Sequence, residues 1–262
     1  MKSAEAHIGD GKIHLEKLRY HGLPIGKWME HLFTLFGDRE SLAGLGESRK
    51  ELSSRGLLIL DAHLTPLDII ASGVSLAQHL PFSTVVLPVS AYDESSNPQS
   101  RWFFSRLGTI LGVEAYPVYR EKDQEYEGRR EAHQVAAEKN LVRESNARFL
   151  RRTLLAVKTP HEAVLITPYN GENRFGAELT PSVRKLMQSG MPGLCTLSIP
   201  DGSLCTEDGI DLSYQTFVSD HVLRFTRGTE NTAILDAIIA EHERLAQRAD
   251  AAGFLVTLRS HS

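Results

Sequence analysis

The sequence predicts an α/β protein, a layered fold with a mostly parallel central sheet flanked by helices. Short apolar runs of strand length alternate with segments of helical spacing along most of the chain. That alternation is typical of parallel strands joined by crossover helices. With 262 residues the chain is long enough to bury a sizeable core. We expect an N-terminal helical segment over residues 1–50 and an α/β domain over residues 51–262.

The first elements lie before residue 57. Apolar residues of the segment 27–36, among them Trp28 and Phe36, fall broadly on one side of a helix. Such a helix would pack on the core or lie in a membrane interface, where Trp and Phe are favoured. Residues 38–56 are polar and contain Gly and Ser, so they predict a short helix and a linker.

Alternating strands and helices follow. The run GLLILDA at residues 56–62 is apolar and of buried-strand length. The helical spacing of residues 67–80 ends before Pro81, which cannot continue a helix. By the same criteria, further strands are predicted at 83–91, 113–120, 162–168, 193–200 and 215–225. Further helices are predicted at 100–112, 127–158, 180–190 and 231–253.

Composition excludes several classes of function. A net charge of −4 offers no basic footprint for nucleic acid. No apolar stretch approaches the roughly 20 residues of a membrane-spanning helix, and we expect no signal peptide. Cys195 and Cys205 form no disulfide framework, which suits a reducing compartment. We therefore expect a cytoplasmic protein whose membrane contact, if it has one, is peripheral.

The stretch LLILDAHLTPLD at residues 57–68 supports two interpretations. In the first, Thr65 caps a helix, proline occupies its first position, and Asp68 closes a capping box. In the second, the same turn brings the carboxylate of Asp68 to the imidazole of His63 at the end of a strand. A carboxylate on one ring nitrogen leaves the other able to take a proton from a hydroxyl.

Two motifs, AHLTPLD at residues 62–68 and WFFSRLGTILGVEAYPVYREKD at residues 102–123, make the chain resemble the glycerophospholipid (1-acylglycerol-phosphate or lysophospholipid) acyltransferase family. AHLTPLD at residues 62–68 matches the N-H-x-[ST]-x-x-D block of that family, with Ala62 in place of asparagine. WFFSRLGTILGVEAYPVYREKD at residues 102–123 follows the family order of helix, glycine, strand, proline and arginine, with Pro117 and Arg120 in the expected places. The resemblance covers roughly residues 50–230 and implies a glycerolipid acyltransferase-like fold.

A third block departs from the family pattern. The family has F-P-E-G-T-R after a strand, and this chain has TPYNGENRFG at residues 167–176. Pro168, Gly171 and Arg174 are of the expected types, but the acid follows the glycine as Glu172.

The resemblance implies transfer of a fatty acyl group from acyl-CoA or acyl carrier protein to a hydroxyl of a lysophospholipid or glycerol-phosphate-like acceptor. His63 would be the general base, oriented by Asp68, and the acceptor phosphate would be held by Arg120, Gly171, Glu172 and Arg174. It implies no metal and no bound cofactor. The partners would be the acyl donor, the acceptor and the inner face of a membrane, to which the protein would bind peripherally. No nucleic-acid partner is expected.

Other interpretations remain open from the residues alone. Arg120 and Arg174 are also explained by surface ion pairs, and Gly171 by a turn that needs positive φ. The helix predicted at 127–158 has apolar residues at every seventh position, which fits a face packed on the protein and a solvated opposite face. Alternatively, its arginines bind anionic lipid headgroups or an acidic acyl carrier. Because the third block is altered, a lipid- or acyl-chain-binding protein without activity is an alternative. A thioester hydrolase, in which water replaces the acceptor, is another.

Overall fold

The computed structural model describes residues 7–9, 12–14, 32–65, 67–90, 113–118, 132–169, 178–201 and 213–254. Its strands are β1 His7–Gly9, β2 Lys12–His14, β3 Phe33–Leu35, β4 Leu57–Asp61, β5 Thr84–Ser90, β6 Val113–Val118, β7 Glu162–Ile166, β8 Gly193–Pro200 and β9 Tyr214–Val218. Its helices are α1 Arg39–Leu52, α2 Asp68–Ala77, α3 Ala132–Ala156, α4 Pro181–Gln188 and α5 Asn231–Ala251.

Seven strands form one sheet in the order β3-β9-β8-β4-β7-β5-β6. Every neighbouring pair in it is parallel except β8 and β9, which run antiparallel. The predicted α/β class with a mostly parallel sheet is therefore confirmed for the described residues. β1 and β2 form a separate antiparallel pair.

Strand β4 lies in the middle of the sheet and is buried on both faces. Leu57 and Ile59 pack into one apolar cluster with residues of α1 and α2. Leu58 and Leu60 point to the opposite face and pack with residues of α3, α4 and α5. This alternation is the period of two of a strand, and it explains why the run is apolar without interruption.

The chain leaves β4 and β7 in opposite directions. From β4 it crosses by α2 to β5 on one side, and from β7 it crosses by α4 to β8 on the other. The two helices cover opposite faces of the sheet, so the carboxyl ends of these adjacent strands form a topological switch point. Ligands in open α/β sheets bind at such a topological switch point.

The N-terminal prediction is wrong in part. Residues 33–35, predicted as helix, form strand β3, which pairs in parallel with β9 at the edge of the main sheet. The pairing competes successfully with local helical spacing because it buries Phe33 and Leu35 in the core. Residues 27–31 lie outside the described part. The division of the chain at residue 50 stays a prediction; α1 crosses it and ends at Leu52.

Most other predicted elements are confirmed within a few residues. The strand predicted at 215–225 ends at Val218, because the chain then turns and Leu223 bonds back to Gly193 at the start of β8. The predicted helix at 100–112 lies outside the described residues. No helix within the described ranges combines the length and apolarity that crossing a membrane would need.

Candidate active site

His63 lies two residues beyond β4, at the switch point. Its backbone has φ of 51°, in the left-handed region that residues with a Cβ seldom adopt. Its side chain is 15% exposed, so the imidazole is largely buried at the carboxyl end of this central strand. A non-glycine residue held in this conformation is a reason to look for function.

His63 and Asp68 are in direct contact. Nδ1 of His63 lies 2.8 Å from Oδ1 of Asp68, whose side chain is only 1% exposed. Oδ2 of Asp68 accepts the backbone N–H of Thr65 at 2.7 Å. Because a carboxylate only accepts, Nδ1 of His63 carries a proton and Nε2 is the basic nitrogen of the neutral ring.

The structure confirms the His63–Asp68 contact and one part of the helix-start interpretation. Asp68 accepts the N–H of Thr65, as the acid of a capping box does, while its other oxygen holds the imidazole. Thr65 itself is not the N-cap. That position belongs to Leu67, which has no side-chain cap, and the hydroxyl of Thr65 instead meets the hydroxyl of Tyr214 at 3.0 Å.

A second carboxyl group lies beneath the pair. Asp61, the last residue of β4, is fully buried, and its Oδ2 accepts the backbone N–H of His63 at 3.1 Å. Its Oδ1 accepts the hydroxyl of Thr196 at 3.0 Å and that of Ser72 in a short hydrogen bond. Burial, and next the charge of Asp68, raise the pKa of Asp61 to about 7.

A chain of buried hydroxyls continues away from Asp61 between the sheet and α2. Ser72 meets Ser198 at 2.8 Å, Ser198 meets Thr216 at 2.7 Å, and Thr216 donates to Ser75 at 3.0 Å. All of these side chains are at most 2% exposed. Each hydroxyl is therefore satisfied inside the protein, and the chain ties β8, β9 and α2 together under the site.

On the opposite face, the end of β7 is fixed by a buried histidine. His242 of α5 has Nδ1 2.9 Å from the Tyr169 hydroxyl and Nε2 3.0 Å from the carbonyl oxygen of Leu60 in β4. A carbonyl only accepts, so Nε2 donates, and Nδ1 accepts from Tyr169. Burial lowers the pKa of His242 to about 4, and the ring is neutral at pH 7.

The other predicted site residues lie outside the described part: Arg120, Gly171, Glu172 and Arg174. The strands before them are described, and β6 and β7 are parallel to β4. Their carboxyl ends therefore lie at the same edge as His63. β7 is the immediate neighbour of β4, whereas β6 is three strand spacings, or about 14 Å, away.

Two groups of the described residues bring a histidine and two carboxylates within 4.8 Å of one another. In Asp61, His63 and Asp68 the hydrogen bonds above account for the arrangement. In Asp220, His221 and Glu241 a cation is already present, because Arg244 lies 2.9 Å from Asp220 and 3.3 Å from Glu241. Neither arrangement requires a metal ion to explain it.

The sequence interpretation missed Asp61 and the hydroxyls around it. The signal was a period of two: Asp61 shares a face of β4 with Leu57 and Ile59, so its carboxyl group had to point into the core. Ser72 and Ser75 lie three apart on α2 and face the same interior. Polar residues at buried registers of neighbouring elements predict such a network.

The comparisons with known proteins add no family. The resemblance to the acyltransferase family therefore depends on the quoted motifs alone. The geometry of His63, Asp68 and Asp61 is a separate observation. No protein-family model matches this chain, and no curated protein has a matching sequence.

Proposed function

We propose that this protein is an O-acyltransferase with a glycerolipid acyltransferase-like fold. It moves a fatty acyl group from a thioester of coenzyme A or acyl carrier protein to a hydroxyl of a lysophospholipid or glycerol-phosphate-like acceptor. One observation carries the proposal. The imidazole of His63 is held by buried Asp68 at 2.8 Å, directly after a central strand and at the switch point of the sheet.

In the proposed reaction, Nε2 of His63 takes the proton of the acceptor hydroxyl as its oxygen attacks the thioester carbonyl carbon. The C–O bond forms, the C–S bond of the tetrahedral intermediate breaks, and the thiolate leaves with the proton from His63. Asp68 keeps Nδ1 protonated throughout and stabilises the imidazolium. The base acts directly on the acceptor, so no acyl-enzyme is needed.

Backbone N–H groups near the start of α2 would stabilise the oxyanion, since helix N-termini favour negative charge. By resemblance, Arg120, Gly171, Glu172 and Arg174 would hold the acceptor phosphate. The strands that precede these four residues, β6 and β7, run parallel to β4 and end on the same side of the sheet as His63. An acceptor of this class would bring the cytoplasmic protein to a membrane surface.

The test is a substrate panel. Purified protein is incubated with labelled acyl-CoA or acyl carrier protein thioester and with a set of lysophospholipids and glycerol 3-phosphate. New ester, free fatty acid and bound label are measured separately. Ester formed with one acceptor class supports the proposal. Free acid alone indicates a thioester hydrolase, and binding without turnover indicates a lipid-binding protein; either result contradicts the proposal.

A further inference from the structure

The backbone of His63 needs an explanation that the His63–Asp68 contact does not supply. Its φ of 51° costs free energy for any residue with a Cβ. In this conformation its N–H donates to Oδ2 of Asp61 at 3.1 Å, and that hydrogen bond opposes the cost. With the backbone in this conformation, Nδ1 of the ring lies 2.8 Å from Oδ1 of Asp68.

Asp61 is in turn held from both sides of β4. Ser72 donates from α2 and Thr196 donates from β8, both to Oδ1, while Oδ2 is left to face His63. The carboxyl group therefore accepts three hydrogen bonds in a fully buried place. This rigidity is typical of groups that position a functional side chain.

We propose that Asp61 is a positioning residue for His63: it fixes the turn that aims the imidazole at Asp68 and places a second carboxyl group beneath the ring. This inference rests on the proposed function of the same site. It assigns Asp61 no contact with substrate.

The charges around the ring give the inference a measurable consequence. One ring nitrogen of His63 and one carboxylate oxygen each of Asp61 and Asp68 lie within 4.8 Å of one another. The other groups bonded to Asp61 are neutral hydroxyls from α2 and β8. An ionised Asp61 thus favours the imidazolium that forms during proton transfer, and the positive charge of His63 favours the ionised form of Asp61.

The main experiment compares wild type with Asp61→Asn by NMR and kinetics. Asparagine keeps the size of the side chain but removes the charge. We expect the His63 backbone amide proton to move upfield and the midpoint of the ring titration to fall, because a neutral side chain at position 61 no longer favours the imidazolium. We expect kcat to fall by about 100-fold with KM within about twofold, because misplacement of about 1 Å costs that much.

Thr216→Val is the matched control. Thr216 belongs to the same buried hydroxyl chain, where its hydrogen bonds are to Ser198 and Ser75. The valine variant should lose stability while kcat, the His63 amide shift and the ring titration stay at wild-type values. If Asp61→Asn changes stability alone, as the control does, the inference is wrong.

Wild-type protein supplies a second measurement in case Asp61→Asn does not fold. The Asp61 side-chain carboxyl carbon and the His63 amide proton should show a shared titration midpoint. Separate midpoints contradict the inference. Both NMR measurements can be made without turnover. If wild-type protein transfers no acyl group, the proposed function is wrong. If the His63 amide shift and ring titration are unchanged in Asp61→Asn, only the positioning role is wrong.

Discussion

Replacing Asp68 by asparagine separates the charge of the His63–Asp68 pair from its shape. The carboxylate accepts His63 Nδ1–H on one oxygen and the N–H of Thr65 on the other. Asparagine has one oxygen, so it can accept only one of these donors. If it accepts from Thr65, its amide group faces Nδ1 and favours the tautomer whose Nε2 carries the proton. That tautomer cannot act as a base.

The opposite orientation keeps the active tautomer but turns the amide group toward the N–H of Thr65. Leaving that partly buried N–H without its acceptor costs up to about 3 kcal/mol, or as much as roughly 150-fold. The lost charge adds to this. Two unit charges about 4 Å apart interact by about 4 kcal/mol at an effective dielectric constant near 20, or roughly 10³-fold. Because Asp68 acts only through His63, the fall in kcat cannot exceed the contribution of the base itself, so we predict a fall of about 10²- to 10⁴-fold.

The assay is single-turnover ester formation with saturating donor and acceptor, together with thermal unfolding of each variant. His221→Gln is the control, because His221 is exposed and follows the antiparallel strand β9. It therefore lies near the start of β8, at the end of the sheet opposite to His63. This variant should retain wild-type activity. If folded Asp68→Asn keeps more than about one tenth of the wild-type kcat, Asp68 does not support a base and the proposed mechanism is refuted.

Two further predictions concern the scaffold. Burial lowers the pKa of His242 from 6.5 to about 4. As the pH falls from about 6.5 to 4, the unfolded chain therefore binds a proton that the folded protein does not, and the free energy of unfolding falls by about 3 kcal/mol. His242→Gln can keep both hydrogen bonds and should lose this part of the pH dependence in urea unfolding; an unchanged dependence contradicts the neutral ring. Gly44→Ala would place a Cβ 1.8 Å from the carbonyl oxygen of Ser219, and should destabilise by about 3 kcal/mol or more. Gly46→Ala meets nothing within 4 Å and should stabilise by about 0.5–1 kcal/mol in the same unfolding assay; equal effects at both glycines would contradict the packing described here.

The fold was predictable where local pattern and tertiary burial agree. Strand β4 is apolar throughout because both its faces are covered, and α4 ends before Gly190, whose φ of 85° suits glycine. β3 was not predictable from its own spacing. Its residues carry a helical pattern, and only the distant pairing with β9, about 180 residues later in sequence, makes them a strand.

The site was predictable as a pair but not as a network. The spacing from His63 to Asp68 allowed the contact that joins them, although the predicted cap, Thr65, is not the N-cap of α2. Asp61 looked like the polar end of an apolar run, since its partners Ser72 and Thr196 are 11 and 135 residues away in sequence. Such contacts depend on the order of strands in the sheet, which the sequence pattern alone leaves undetermined.

The most direct test of the central claim is single-turnover acyl transfer by wild type and His63→Ala, with thermal unfolding confirming that both are folded. Loss of a general base predicts a fall of roughly 10²- to 10⁴-fold in ester formation by His63→Ala, with His221→Gln unchanged. Ester formation by folded His63→Ala at the wild-type rate would contradict the assignment of His63 as the base.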